Sequence, residues 1–397
     1  MSVSHLQKSR LWEITGLFLC YLAVPVARGW ASLDRIPADP GYGWVVRASE
    51  RGIASIFTAD PHLNSYELLV AWGVHLFPIA SHATLMAIST HLTWATGALL
   101  VALVMRGVTS SLTIAVFSGL VIVLSPHASE SVLGNIGNTR WILLITVATV
   151  ISVPPALRPS GVWFPILAIV TGFSNPIAGI CLVPIAGRRI RSQSLAKPDL
   201  ILILALGSGA LVQILLAVSG KFWRGHDVKL TRPWDGMGAF WWSGLVGPFI
   251  ISTTVLLVLF AISSADQRLL STARWLAVLS VLIHTACYLL GGIADRYFVA
   301  PMTLSVMAVL LTVCGISQRF RIHRTVLLML FVVVFALPAI KWFSASRYLS
   351  SGPTWNSEVQ RATEQCTDLQ VISQSLALSP SGVEELNCKY ILRNHER

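Results

Sequence analysis

Residues 125–144 read SPHASESVLGNIGNTRWILL, a polar stretch set between two strongly apolar runs. His127, Glu130, Asn135, Asn138 and Arg140 fall within one short loop, and apolar sequence resumes directly after it. The runs on either side decide the class. Of 397 residues 54% are hydrophobic and 12% charged, and the mean hydropathy is +0.68. Soluble domains carry roughly 25% charged residues, so this chain is too poor in charge to cover a soluble surface. Apolar runs near the ~20 residues needed to cross a bilayer recur along most of its length. The sequence predicts an all-α polytopic membrane protein. In a soluble domain the formal charge of +11 would suggest a nucleic-acid partner; here it is spread over loops that flank apolar runs, where it is a topology signal.

Eleven spans are expected, at about 11–28, 80–105, 112–126, 138–154, 161–174, 176–187, 199–219, 241–263, 275–291, 299–316 and 325–342. The first lacks a small-residue cleavage site and reads as an anchor, not a cleaved signal. The pair around Asn175-Pro176 is too short for two ordinary spans and suits a broken, re-entrant pair, whose free backbone groups must face protein or a watery cavity. Lys8, Arg10, Arg106, Arg158, Arg188, Arg189, Arg191, Lys197, Arg268, Arg274, Arg319, Arg321 and Arg324 fall on one side of this arrangement. The positive-inside rule then places the N-terminus in the cytoplasm of a plasma-membrane protein, and eleven spans place the C-terminus outside. Cys20, Cys181, Cys287 and Cys314 lie in apolar runs, as small buried hydrophobes. Cys366 and Cys388 lie in the polar tail, where an oxidising compartment would join them in a disulfide.

Two regions follow: a transmembrane domain over 1–342, with a first outer loop at 29–79, and an extracytoplasmic tail over 343–397. In the first loop Trp44, Val45, Ala48, Ile53, Ile56 and Phe57 recur at helical spacing, opposed by Arg47, Glu50 and Arg51. That pattern predicts an amphipathic helix lying at the membrane interface, with Glu50 paired to Arg47 or Arg51. A second outer segment, GKFWRGHDVKLTRPWDGMGAFWW, carries Lys221 and Arg224 among tryptophans.

The polar residues gather on the outer side: Asp34, Asp39, Glu50, Asp60 and His62 in the first loop, the 125–144 group, then His226, Asp227, Asp295 and Arg296. Transporters concentrate ionisable groups near the bilayer midplane, whereas the interiors of these runs offer little beyond His284. A site at the outer surface favours an enzyme acting on something presented there. Carboxylates supply general bases and arginines supply anion ligands that keep their charge. With an apolar wall for a lipid tail, the set fits a lipid phosphate as donor.

On these residues the chain resembles the GT-C superfamily of integral membrane glycosyltransferases, which use polyprenyl-phosphate sugars, and in particular its actinobacterial multi-pass members. ADPGYGWVVRASERGIASIFTADPHLNSYELL follows the order of the family's first loop, with Asp39 in the place of the second of two acids and Ala38 in the place of the first. Pro126, Glu130, Gly134, Asn135, Asn138 and Trp141 match a second block; TGFSNPIAGICLVPIAGRR resembles the family's short helix pair, and DRYFVAP and the tail GPTWNSEVQRATEQC…NCKYIL extend the match over most of the chain. The resemblance implies an inverting transfer from a polyprenyl-phosphate sugar to an extracytoplasmic glycan, lipid or protein acceptor. Asp39 would be the general base, with Glu130 the next candidate. Arg140, Arg296, Asn135, Asn138, Arg224 and Lys221 would hold the donor phosphate or sugar. Asn135 and Asn138 are equally well placed to cap the helix that follows. No organic cofactor or nucleic acid is expected. Some relatives use a divalent ion, but no acidic cluster here demands a metal. Two other readings stay open: a flippase or transporter for a lipid-linked saccharide, and a non-catalytic partner in envelope assembly, which Ala38 keeps alive.

Overall fold

The structure is a computed structural model that describes residues 3–37, 41–57, 63–125, 132, 134–158, 161–192, 196–219, 266–289, 295–320, 352–368, 371–378 and 382–395. The expected spans at 241–263 and 325–342, and the Lys221–Arg224 segment, lie outside these residues. The described chain is mostly helical: α1 (Val3–Arg28), α2 (Gly41–Arg51), α3 (Ser65–Val74), α4 (His82–Thr109), α5 (Leu112–Val123), α6 (Thr139–Ser152), α7 (Trp163–Ser174), α8 (Val183–Ser192), α9 (Lys197–Val218), α10 (Gln267–Leu289), α11 (Val299–Phe320), α12 (Trp355–Cys366) and α13 (Cys388–His395). Five segments, Leu11–Arg28, Ile79–Thr109, Lys197–Leu216, Gln267–Leu289 and Arg296–Ile316, are long and apolar enough to cross a membrane. Along α9 the side chains of Leu204, Leu211 and Leu215 are each more than half exposed. A stripe of bare leucines needs an apolar solvent, which a bilayer supplies.

Helix α6 is the axis of this apolar bundle. It is buried at every position from Trp141 to Ser152, and of its residues only Arg140 is half-exposed. At ~1.5 Å per residue, 14 residues extend for roughly 21 Å, short of a ~30 Å hydrocarbon core. Neighbours reach it because small residues let backbones approach. A Cβ on Gly97 of α4 would sit 2.3 Å from Ile142 Cγ1, and one on Gly209 of α9 would sit 2.3 Å from the backbone of Gly172 in α7. Around Asn175-Pro176 the chain is broken as the composition suggests. Helix α7 stops at Ser174, a 3-10 turn follows at Ala178–Leu182, and α8 resumes for 10 residues. The break is built by Asn175, whose Oδ1 accepts from Ile177 N at 3.1 Å.

A second core forms a cap on the bundle, and it joins the two ends of the sequence. Ile36, Tyr42, Trp44, Val45, Leu68 and Ala71 of the first loop pack with Trp355, Val359, Leu376, Leu386 and Ile391 of the tail. Trp355 is the pin: its backbone N–H donates to Asp34 O at 2.7 Å, its indole N–H donates to Ile79 O at 2.7 Å, and its ring meets Tyr42 edge-on at 4.7 Å. The tail is not wholly helical. Ser373–Leu378 and Gly382–Asn387 form an antiparallel pair with Ser373 opposite Asn387 and Leu378 opposite Gly382. Period-2 alternation, with Leu376 and Leu378 turned inward, makes the strand.

This core corrects the expectation for α2. The helix forms and ends at Gly52, whose φ of +59° is the left-handed geometry that suits a glycine stop. Its apolar face, however, is filled by protein: Trp44, Val45 and Ala48 are at most 5% exposed, while Ile53 and Phe57, beyond the helix, stay exposed. Nor does Glu50 pair with Arg47 or Arg51; its side chain faces a groove.

Cys366 and Cys388 are joined by a disulfide with Cα atoms 5.2 Å apart, and the other four cysteines are free. Thiol labelling of denatured, unreduced protein is therefore expected to modify four cysteines, and labelling after reduction all six. Replacing the pair by serine should lower the stability of the cap by about 3 kcal/mol, the chain-entropy scale for a loop of this size. Labelling of all six without reduction would refute the bond.

Candidate functional site

Residues 134–144 of the polar stretch come to lie beside α3 and α7. Asn135 caps the 3-10 turn Ile136–Asn138, its Oδ1 accepting from Gly137 N at 2.8 Å. Asn138 occupies the N-cap position of α6 without a capping bond from its side chain. Both are buried. The capping role thus holds for Asn135.

Immediately inside this turn, α3 contributes Glu67, which is completely buried. Arg140, at the start of α6, is the charged group nearest in effect to it. Arg140 also donates from Nη1 to Asn64 Oδ1 at 3.5 Å, the outer limit of a hydrogen bond. Ser174, the last residue of α7, hydrogen-bonds Glu67 and accepts from Tyr66 N at 2.9 Å. Gln213 of α9 closes the ring by donating to Leu63 O and accepting from Leu63 N. The second carboxylate oxygen of Glu67, Oε2, has no hydrogen-bond partner among the described residues.

The protonation state follows from this geometry. Burial pushes the Glu67 carboxyl up to about 7, against the opposing pull of Arg140 and of its hydrogen bonds. Thr139 Oγ1 lies 3.4 Å from Glu67 Oε1 but also reaches Ile136 O at 2.7 Å. One hydroxyl proton serves one bond well, and the shorter contact keeps it. The Thr139 bond to Glu67 is accordingly the weaker of the two.

Arg140 and Arg296 come to one aromatic pair. The Arg140 guanidinium sits 5.6 Å from the Trp141 ring centre, and that of Arg296, in the 3-10 turn before α11, sits 5.4 Å from the Tyr297 ring centre. The two rings meet edge-to-face at 5.5 Å. The two cations thus sit against the faces of one aromatic pair, where the ring quadrupole favours positive charge. A separate apolar groove of about 410 Å³ is walled by Tyr66 and Val70 of α3, Leu92 and Gly97 of α4, Leu143 of α6 and Leu167 of α7. Tyr66 Oη meets Thr93 Oγ1 within it at 2.5 Å. It shares α3 with Glu67 and α6 with Arg140, without either side chain on its lining.

Of the residues singled out from the sequence, Arg140, Arg296, Asn135 and Asn138 are described. Asp39, Glu130, Lys221 and Arg224 lie outside the described residues. Glu67, Ser174 and Gln213 were missed. The signal for Glu67 was present: it is the sole acid in SYELLVAWGV, an otherwise apolar helix. His91 was missed too. It is buried within α4, and neither ring nitrogen has a hydrogen-bond partner among the described residues. Also among them, no three His, Cys, Asp or Glu side chains converge as metal ligands would. Compared with known proteins, the chain matches no family model, no curated protein and no solved structure. The class its fold defines is a largely helical chain with helices suited to a bilayer.

Glu67 should impose a pH dependence of definite sign. Its folded pKa of about 7 lies above the ordinary 4.5. The folded state therefore binds more protons than the unfolded one between these values, and stability falls as pH rises from about 4.5 to 7, then levels off. Glu67→Gln removes the titration, so thermal melts of that variant should be flatter over this range and exceed the wild type most at pH 7 and above. Parallel pH profiles for the two proteins would show that Glu67 does not hold its proton.

Proposed function

We propose that this chain is a membrane glycosyltransferase of the GT-C type, which moves a sugar from a polyprenyl phosphate to an acceptor on the outer side of the plasma membrane. The proposal includes the eleven-span topology, a cytoplasmic N-terminus, and the cap on the outer side. One observation carries it: Arg140, the sole half-buried residue of an otherwise buried helix, shares an aromatic pair with Arg296, and the same helix helps to wall an apolar groove. A charged headgroup and a long apolar tail need such neighbours, two fixed cations and a dry trough. The joint cap supports the topology, since a core shared by the first loop and the tail requires both on one side of the bilayer.

In this reading the tail of the donor lies in the groove and its phosphate meets Arg140 and Arg296. Asp39, two residues ahead of α2 in the sequence, takes the proton from an acceptor hydroxyl. That oxygen attacks the anomeric carbon from the face opposite the phosphate, the anomeric C–O bond breaks, and the configuration inverts. The two arginines stabilise the charge gathering on the departing phosphate, the step at which fixed cations contribute most. Glu130, Lys221 and Arg224 belong to the same reading as further contacts at the mouth. Asn135 is committed to its turn and takes a structural part.

The first test is mass spectrometry of lipids that co-purify with the protein, followed by transfer assays in proteoliposomes with the polyprenyl-phosphate sugar so identified. Finding only bulk phospholipid, and no transfer from any such donor, would leave the flippase or assembly-partner readings. Arg140→Gln should weaken polyprenyl-phosphate binding by about 1.5–3 kcal/mol, the scale of a charged hydrogen bond. Unchanged affinity in a folded variant removes Arg140 from the site. Asp39→Asn should retain donor binding and lose ~10²–10⁴-fold in turnover, the usual contribution of a general base. Full activity of that variant would pass the role to Glu130.

A further inference from the structure

The cap carries a second cavity, of about 620 Å³, between the first loop and the tail. Val46, Ser49 and Glu50 of α2 form one wall, with His75 at its side, and residues of the strands Ser373–Leu378 and Gly382–Asn387 and of α13 form the other. Its lining differs in kind from the apolar groove in the bundle. Val46 and Leu386 are its aliphatic residues and His75 and Tyr390 its rings; the rest are hydroxyls, amides and charged groups.

Three of these side chains are uncommitted among the described residues. Glu50, Lys389 and Arg393 are exposed, and none makes a side-chain hydrogen bond or ion pair there. Lys389 and Arg393 are one helical turn apart on α13 and so project together. With Glu50 and Glu385 they balance in charge, so the cavity does not select anions or cations by field. Each wall carries a carboxylate acceptor, Glu50 on one and Glu385 on the other, and α13 adds the donors Lys389 and Arg393 and the ring of Tyr390. Charged groups on both walls leave no apolar pocket for a lipid tail. A neutral ligand dense in hydroxyl groups uses these acceptors and donors together.

We propose that this cavity binds a neutral oligosaccharide. The walls come from the first loop and the tail, pinned to each other by Trp355, and the Cys366–Cys388 bond ties α13 to α12 within the tail wall. A single sugar ring does not fill a cavity of about 620 Å³, so the occupant is a chain. On the reading given above, and resting on it for this one step, the bound chain is the acceptor.

Full-length protein in nanodiscs would be titrated with neutral linear hexasaccharides of arabinan, mannan, galactan and β-glucan, with the matching disaccharides, and with an oligogalacturonide as an acidic control. At least one neutral hexasaccharide should bind, at least tenfold more tightly than its disaccharide. The double variant Glu50→Ala/Arg393→Ala should weaken it tenfold or more at an unchanged melting temperature; both residues are exposed, so the fold survives their loss. Absence of binding by every neutral hexasaccharide, preference for the oligogalacturonide, or binding indifferent to the double variant would each overturn the proposal. Hexasaccharide binding of this pattern in protein that transfers no sugar upholds the cavity and removes the enzymatic reading. Transfer that proceeds with no saccharide bound here does the reverse.

Discussion

Burying the Glu67 carboxyl beside Arg140 is the constraint that organises this molecule. An ionised carboxylate removed from water costs several kcal/mol unless its partners are well placed. Here Arg140 and Thr139 come from the start of α6 and Ser174 from the end of α7, while Asn64, the N-cap of α3, meets Arg140 in turn. Each must stop or turn where it does for the set to close. Helix α7 ends at Ser174 so that its hydroxyl reaches Glu67, and Asn175 then breaks the chain while its amide donates to Arg140 O at 3.4 Å. Proton retention by Glu67 is the remaining accommodation.

Helix α3 transmits this arrangement to the cap. Leu68, Ala71 and Val74 turn into the outer core, while Tyr66 and Val70, a helical turn apart, wall the apolar groove. Ten residues thus serve two cores and one polar cluster. Such a helix cannot shift for one neighbour without disturbing the others. The grip of Trp355 on Asp34 and Ile79 consequently fixes more than the tail.

What the sequence discloses, and what it hides, follows from the range of the interactions. The start of α6 was legible because Asn135 and Asn138 are local signals, and the cap of the 3-10 turn needs only its own neighbours. The broken pair at Asn175-Pro176 was legible from length alone. The partner of α2 was not: a helical face of Trp44, Val45 and Ala48 looks the same whether lipid or a tail 300 residues on will cover it. Glu67 escaped notice because acids were sought among polar loops, and this one lies amid leucines. The hairpin was hidden because six residues of SQSLAL show period-2 alternation too briefly to outweigh a helical context. In the site, Arg140 and Arg296 could be ranked by position at the ends of apolar runs, but their common aromatic pair is a tertiary fact.

The two ends of α6 show how a structural charge differs from one available for binding. Beyond its C-terminus Asp199 is gripped by Arg158 at 2.6 Å and Arg188 at 3.4 Å, and both arginines also donate to Ile151 O in the last turn of the helix. Cations there suit the negative end of the helix dipole and satisfy carbonyls that α6 leaves open. Those charges are answered within the protein, and their burial is a matter of stability. At the N-terminus, roughly 21 Å away, the dipole is positive and favours an anion. The nearest carboxyl, Glu67, is driven by burial toward its neutral form, and its Oε2 has no hydrogen-bond partner among the described residues. The same helix therefore carries a buried ion-pair network at one end and, at the other, a cation beside a carboxyl that burial drives toward neutrality.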